Sequence, residues 1–269
     1  MTINDVLFFD TETTGVPGRN ARWDEDFMDY PHIVSIAWMF GDVAESHIIR
    51  PEGWEIPEEV TKIHGISTEY AQEHGEPFAL VIDRFLAFAA KAGLLCGHNI
   101  HFDTGIVKAN ILRELGHEYY DAEDVEGALY KGKRIDTMRP TMKWVDARMA
   151  DGRPKFPNLS ELYARCFPGE TFPAHDALED VKAVARCLPV ILEQGLVELK
   201  LKEYPAEQLA IEFPPKTDTP LKKAVEGPIL SVKQKDDKLP IRSEKGPQNE
   251  NFAKITENVV AALLEENDF

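Results

Sequence analysis

The chain has 269 residues, of which 43% are hydrophobic and 29% charged, and its formal net charge is −17. This composition fits a folded α/β domain with additional chain, and it excludes a wholly disordered protein. No stretch approaches the roughly 20 uncharged apolar residues of a membrane-spanning helix, so we expect no membrane segment. The excess of acid argues against a protein that coats nucleic acid, but carboxylates are the ligands that divalent cations need.

The cysteines and the first residues of the chain indicate the cellular compartment of the protein. Cys96, Cys166 and Cys187 are odd in number and lack CxxC spacing, which argues against a disulfide framework and against structural zinc. The opening MTINDVLFFD has neither the basic region nor the cleavage site of a secretory signal. The sequence therefore predicts a cytoplasmic protein.

Hydrophobic periodicity predicts strands and helices over the first 200 residues. Strands are predicted at 6–10, 32–40, 45–50, 94–99 and 134–137. Helices are predicted around 57–64, 77–91, 102–115, 159–166 and 177–193, the third of them ended by Gly116. Three strands in succession, followed by strands that alternate with helices, predict an α/β fold with a mixed sheet flanked by helices.

The character of the chain changes near residue 200, which predicts a domain at 1–200 and an arm at 201–269. Seven of the 18 prolines lie between 205 and 247, where there is little apolar periodicity, so this part is predicted to be a Pro-rich linker. Residues 252–264 regain an amphipathic helical stripe, with Asn251 as its N-cap.

Two acids stand at the end of the first predicted strand, in VLFFDTETTG. Asp10 and Glu12 are two residues apart, so their side chains point to the same face of the strand. Two such carboxylates repel each other unless a cation lies between them. A solvated strand end is an equally good explanation of this pair taken alone.

Two further acids lie on predicted helices, at positions that border the apolar stripe. Asp103 is followed at i+3 and i+4 by Ile106 and Val107, and a favourable charge at a helix N-terminus does not explain an acid on the apolar side. Asp180 borders a stripe through residues 177, 181, 184, 188 and 191. An unpartnered buried carboxylate costs several kcal/mol, so each acid predicts a positive partner.

Some residues around Asp180 are explained by helix capping, and one is a candidate for catalysis. Asp176 and Glu179 have the spacing of a capping box and are assigned to the helix terminus. His175 then lies just outside the helix, where its imidazole can accept a proton near neutral pH. Four carboxylates and one imidazole together predict a phosphoryl-transfer site with two divalent cations, Mg²⁺ or Mn²⁺.

The segments that carry these residues resemble the motifs of the DEDDh 3′–5′ exonucleases, the family of the proofreading epsilon subunit of bacterial DNA polymerase III. FDTETTG, GHNIHFD and HDALED match the three motifs in order, over about residues 5–195. Asp176 stands where the related tyrosine subgroup has its tyrosine, so the histidine version applies. The resemblance implies an RNase H-like fold and a two-metal exonuclease that releases nucleoside 5′-monophosphates.

The resemblance also implies a role for each matched residue. Asp10 would bridge both cations, Glu12 and Asp180 would complete one, and Asp103 would hold the other. His175 would deprotonate the attacking water. Three further residues are predicted to contact the terminal nucleotide: Thr13, His64 in the IHGIS loop, and Asn99. A helix-capping role for His64 and a structural role for Asn99 are the alternatives.

Single-stranded DNA is the predicted substrate, in proofreading or repair. RNA 3′ ends are the first alternative, because discrimination between the sugars rests on contacts to the 2′ position that the motifs do not place. A non-catalytic nucleic-acid- or polymerase-binding module with this fold is the second alternative. The intact set of four acids and one histidine argues against that module.

Two segments predict contacts beyond the terminal nucleotide. Residues 143–158 combine basic side chains with Trp144 and Phe156, which is typical of single-strand binding or of a solvated loop. In the arm, QLAIEF (208–213) resembles the clamp-binding peptide of bacterial replication proteins, through Gln208, Ile211 and Phe213. A DNA polymerase or a sliding clamp is therefore a predicted partner of the arm, with a chance match as the alternative.

Overall fold

The computed structural model of the chain describes residues 5–197. The predicted arm at 201–269, its clamp-binding peptide and its C-terminal helix lie outside these residues. The strands are β1 (Val6–Thr13), β2 (Ile33–Phe40), β3 (Val43–Ile48), β4 (Leu94–Gly97) and β5 (Arg134–Asp136). The helices are α1 (Glu58–His64), α2 (Thr68–His74), α3 (Phe78–Lys91), α4 (Ile100–Ala122), α5 (Val125–Ala128), α6 (Met142–Val145), α7 (Leu159–Cys166) and α8 (Ala177–Glu193).

The strands form one mixed sheet in the order β3-β2-β1-β4-β5. The first three strands pair antiparallel, whereas β4 runs parallel to β1 and β5 runs parallel to β4. The carboxyl ends of β1, β4 and β5 therefore lie at the same edge of the sheet. The predicted α/β class, a mixed sheet flanked by helices, is confirmed.

The main core lies between the sheet and helices α3 and α4. Leu7 and Phe9 of β1 are fully buried there, and the rings of Phe9 and Phe85 are 5.0 Å apart between their centroids. Helix α8 also packs against β1 and β2. Since side chains alternate along a strand, the residues of β1 that lie between Leu7, Phe9 and Thr11 face the opposite side of the sheet.

Helix α8 has the bounds that the sequence predicts, because Asp176 caps its N-terminus. The carboxylate of Asp176 accepts hydrogen bonds from the backbone N–H groups of Leu178 and Glu179, at 3.0 and 3.1 Å. The expected return bond from the Glu179 side chain is replaced by an ion pair with Lys182, at 2.6 Å. The capping box is thus half realised, and the cap itself is confirmed.

Helix α4 differs from its prediction at its carboxyl end. Gly116 has a left-handed φ of 82° and interrupts the helical backbone, as the sequence predicts. The chain then resumes a helix as far as Ala122, which was not predicted.

Among the helices of residues 5–197, none combines the length and the apolar character that a membrane span requires.

Candidate active site

Three acids lie together at the carboxyl end of the central strand β1. Asp10 and Glu12 alternate with the buried residues Phe9 and Thr11, so they point away from the main core. Asp180 lies in the first turn of α8, which packs against the same strand. One carboxylate oxygen from each of the three acids lies within 4.8 Å of the others.

Asp103 lies in a gap between β1 and β4. The ladder between these strands ends at the pair of Phe8 and Cys96, so the next part of β1 has no partner on that side. The Asp103 carboxylate fills this position and accepts hydrogen bonds from the backbone N–H and the hydroxyl of Thr11, at 3.1 and 2.8 Å. Asp103 is 3% exposed. The fourth predicted acid therefore adjoins the other three, on the side of α4.

Burial and mutual repulsion raise the pKa values of these acids. Burial raises the pKa of Asp10 well above its usual range, and the charges of Asp103, Asp180 and Glu12 raise it further. Burial, followed by the charge of Asp180, raises the pKa of Glu12 to about 7. Burial also raises the pKa of Asp103 to about 7, although the hydrogen bonds from Thr11 lower it. A cation placed between the carboxylates would oppose each of these shifts, because it favours the charged form.

Asp180 provides the test of whether a cation fits this cluster. Its Oδ1 atom is buried and has no hydrogen-bond partner within residues 5–197. Burial raises its pKa to about 6, while the backbone N–H and the charge of His175 lower it. A buried carboxylate oxygen without a donor is costly unless a cation meets it. A donor set made only of carboxylate oxygens fits hard divalent ions such as Mg²⁺ or Mn²⁺.

His175 lies in a turn directly before the N-cap of α8. Its backbone has a left-handed φ of 70°, a conformation that is uncommon for a residue with a side chain. The imidazole is exposed to solvent. The sequence-predicted position, outside the helix and one turn from Asp180, is therefore the position that the structure shows.

The structure describes the surroundings of the three residues that are predicted to contact a nucleotide. The Thr13 hydroxyl donates to the Gly15 carbonyl at 2.6 Å. His64 accepts the Ile66 N–H through Nδ1 at 3.2 Å, which is a capping role, yet its Nε2 is buried without a partner. Asn99 has a left-handed φ of 70°. Within residues 5–197, none of the three forms a hydrogen bond to the four acids.

The structure adds residues that the sequence did not single out. Asp136 ends β5, and its Oδ1 accepts the backbone N–H groups of Asn99 and Met138, at 3.0 and 2.9 Å. An acid at the carboxyl end of a predicted strand is the same signal that identified Asp10. Thr11 offered no such signal, because its contact with Asp103 depends on the register of β1 and β4.

Comparison with protein families decides the identity of this domain. The model of the RNase_T family, described as exonuclease, matches residues 7–188. The chain belongs to this exonuclease family. The resemblance to the DEDDh exonucleases that the motifs predict is thereby confirmed, and the domain is that of a nuclease. Members of the family generally use divalent metals, in agreement with the acidic cluster.

Solved structures of exonuclease I share the fold. A product-bound exonuclease I superposes with a TM-score of 0.53 at 19% identity, over 71% of this chain and 44% of that chain. Exonuclease I from Methylocaldum szegediense superposes with a TM-score of 0.52 at 19% identity, over 71% of this chain and 41% of that chain. E. coli exonuclease I in complex with a dA16 oligonucleotide also superposes with a TM-score of 0.52 at 19% identity, over 71% of this chain and 42% of that chain.

These similarities confirm the predicted RNase H-like fold. The chain spans less than half the length of the exonuclease I chains that it matches. Comparison with curated protein sequences finds no match. At such low identity the structural likeness supports the fold, so the finer function rests on the residues of the site.

Proposed function

We propose that this chain is a metal-dependent 3′–5′ exonuclease that hydrolyses the terminal phosphodiester of single-stranded DNA to a nucleoside 5′-monophosphate. The observation that carries the proposal is the cluster of Asp10, Glu12 and Asp180, whose oxygens lie within 4.8 Å of one another. The buried, unpartnered Oδ1 of Asp180 supports a cation site over a solvated group of acids.

The acids would hold two divalent cations, with Asp103 completing the set beside Asp10. Bound cations supply charge stabilisation for the attacking and leaving oxygens of the phosphoryl group. The protein contributes the fixed positions of the carboxylates. Asp103 is held by Thr11, and Asp180 is held by the packing of α8 against β1.

His175 is the proposed proton acceptor. As the water oxygen bonds to phosphorus and the bond from phosphorus to the 3′ oxygen breaks, the imidazole takes the proton of the water, and the 3′ oxygen is protonated from solvent. His175 is exposed and lies directly before the N-cap of α8, so its ring is not part of the packed helix.

Single-stranded DNA is proposed as the substrate because E. coli exonuclease I forms complexes with dA16 and with dT13 oligonucleotides. The buried, unpartnered Nε2 of His64 supports a contact from this residue to the terminal nucleotide. Thr13 and Asn99 stay predicted contacts. A role in proofreading or repair, and a polymerase or sliding clamp bound through 201–269, also stay predictions.

The first experiment uses 5′-labelled DNA and RNA single strands of one sequence, with Mg²⁺, Mn²⁺ or EDTA. We expect a ladder that shortens from the 3′ end of DNA and disappears in EDTA. Asp10→Asn should abolish this ladder, whereas the matched control Asp42→Asn, an exposed acid between β2 and β3, should preserve it.

The outcomes separate the alternatives. Faster degradation of RNA would favour the exoribonuclease. A folded wild-type protein that cleaves neither polymer would refute the proposal and favour the non-catalytic binding module. Cleavage by Asp10→Asn at the wild-type rate would refute the mechanism even if the polarity were correct.

A further inference from the structure

The basic residues of the domain are concentrated in one segment. Residues 131–157, here called the cationic segment, contain eight basic and three acidic residues, a net charge of +5 in a chain whose total is −17. A nucleic acid is repelled by most of such a surface and attracted where cations are grouped. The segment is therefore the one long stretch of the described chain with the charge that a polyanion requires.

The cationic segment is anchored beside the acids. It includes β5, whose last residue, Asp136, accepts the N–H of Asn99, directly before helix α4. His98 contacts the segment at two places, because its Nδ1 lies 3.1 Å from the Thr137 hydroxyl, directly after β5, and its Nε2 donates to the Pro157 carbonyl at 2.9 Å. Helix α4 carries Asp103 one turn further on. The segment thus leaves and rejoins the domain next to the candidate active site.

Some of the cations are neutralised within the loop. Arg148 pairs with Asp146, Arg153 pairs with Asp151, and Lys155 pairs with Glu161. These pairs shape the loop more than they add attraction for a phosphate.

Arg139 and Phe156 form a different arrangement. The Arg139 guanidinium lies 5.4 Å from the centre of the Phe156 ring, and the two side chains are 56% and 45% exposed. An ion pair to Asp136, at 3.4 Å, orients the guanidinium from the side of β5. An exposed cation stacked on an exposed aromatic ring is the combination that binds a phosphate and stacks a base.

Further cations of the segment have no ion-pair partner among the described residues. Lys131 and Lys143 are exposed, and no ion pair involves either of them within residues 5–197. These side chains are free to meet a phosphate.

We propose that the cationic segment, through Arg139 and Phe156, binds the single strand of nucleic acid upstream of the terminal nucleotide. The proposal rests on the proposed exonuclease function, since the acids cleave the end and the segment holds the strand that leads to it. Charge complementarity selects a polyanion, and the exposed Phe156 ring selects unpaired bases.

The test measures binding in EDTA, so that it requires no cleavage. The anisotropy of 5′-fluorescein dT4 and dT16 reports the Kd of a short and a long strand. We expect the wild-type protein to bind dT16 more tightly than dT4. Arg139→Gln combined with Phe156→Ala should weaken dT16 binding about tenfold or more and abolish the length dependence. The control Arg84→Gln removes an exposed arginine that pairs with Glu45 elsewhere and should bind as the wild type does.

Arg139→Gln also removes the ion pair with Asp136, which could alter folding. A second variant that leaves this ion pair intact therefore serves as an independent test. Lys131→Gln combined with Lys143→Gln changes exposed side chains only, and each lost phosphate contact should reduce the slope of log Kd against log salt concentration by about one. If both variants bind dT16 with the affinity and salt slope of the wild type, the inference is wrong. If the wild-type protein binds through these residues but cleaves no strand, the proposed function fails and the inference stands.

Discussion

Thr11 and Asp103, 92 positions apart, are joined by two hydrogen bonds to one carboxylate oxygen, from the backbone N–H at 3.1 Å and from the hydroxyl at 2.8 Å. The contact satisfies a strand N–H that β4 leaves without a partner. It also opposes the effect of burial on Asp103, because both donors favour the charged carboxylate. A side chain on the core side of β1 thus adjusts an acid of the site.

Removal of the Thr11 hydroxyl should therefore change the pH dependence of cleavage. In Thr11→Val the backbone donor stays and the hydroxyl is lost, so the pKa of Asp103 rises. We expect the acid limb of kcat/KM, measured at subsaturating Mg²⁺, to move to higher pH by about one unit. Thr11→Ser retains the hydroxyl and should keep the wild-type profile. Coincident profiles for the valine and serine variants would contradict this role of Thr11.

Neutralising one acid should stabilise the metal-free protein while it abolishes cleavage. Asp10 is buried among three other acids that raise its pKa, so at pH 8 its charge opposes folding unless a cation is bound. Asp10→Asn should raise the melting temperature in EDTA by a few degrees, at about 2–4 °C per kcal/mol for a domain of this size. Differential scanning calorimetry with Asp42→Asn as the control measures the shift. A lower melting temperature for Asp10→Asn alone would show that the repulsion is absent.

The stability of the metal-free protein should fall as the pH rises from about 4 to about 7. The pKa values of Glu12 and Asp103 are raised to about 7 in the folded state, whereas carboxyl groups in an unfolded chain titrate near 4. Between these values the folded protein binds more protons than the unfolded chain, so stability decreases with increasing pH. Urea titrations in EDTA between pH 4 and pH 8 measure this slope.

The same groups predict how a cation changes stability. Mg²⁺ binds the charged acids, so it should stabilise the protein more at pH 8 than at pH 5.5. An equal effect of Mg²⁺ at the two pH values would indicate that it binds elsewhere.

His175 should be replaceable without loss of structure, provided that its backbone conformation is respected. Asparagine tolerates a left-handed φ, so His175→Asn should fold normally and bind Mg²⁺ as the wild type does. It cannot accept the proton, so cleavage should fall by about 10²- to 10⁴-fold. His175→Ala loses the same function and adds backbone strain, which should lower its melting temperature below that of the asparagine variant. Cleavage by His175→Asn at the wild-type rate would exclude the proposed proton acceptor.

The elements predicted best are those that combine a regular apolar stripe with a terminal signal. Helix α8 has both, and its bounds agree with the prediction. Strand β3 begins two residues earlier than predicted, at Val43, because it lies at the edge of the sheet and has no buried residue that would mark its extent. Helix α2 buries only Ala71, so its polar sequence carried no periodic signal.

The residues of the candidate site also fall into two groups, those that the sequence predicts and those that it does not. The four acids and His175 stand out in the sequence because charges interrupt apolar patterns and recur in spaced motifs. The residues that position them do not. The contacts of Thr11 with Asp103 and of His98 with Pro157 cross between segments distant in the chain, so only strand pairing and loop packing bring them together.

The acidic cluster joins the first strand of residues 5–197 to the last helix of that range, since Asp10 lies on β1 and Asp180 on α8. A growing chain that ends before α8 therefore holds Asp10 and Glu12 but lacks the third carboxylate. During synthesis the ligand set becomes complete only after α8 has left the ribosome and packed on the sheet. The order of the elements along the chain thus withholds the cation site from the nascent chain until α8 is in place.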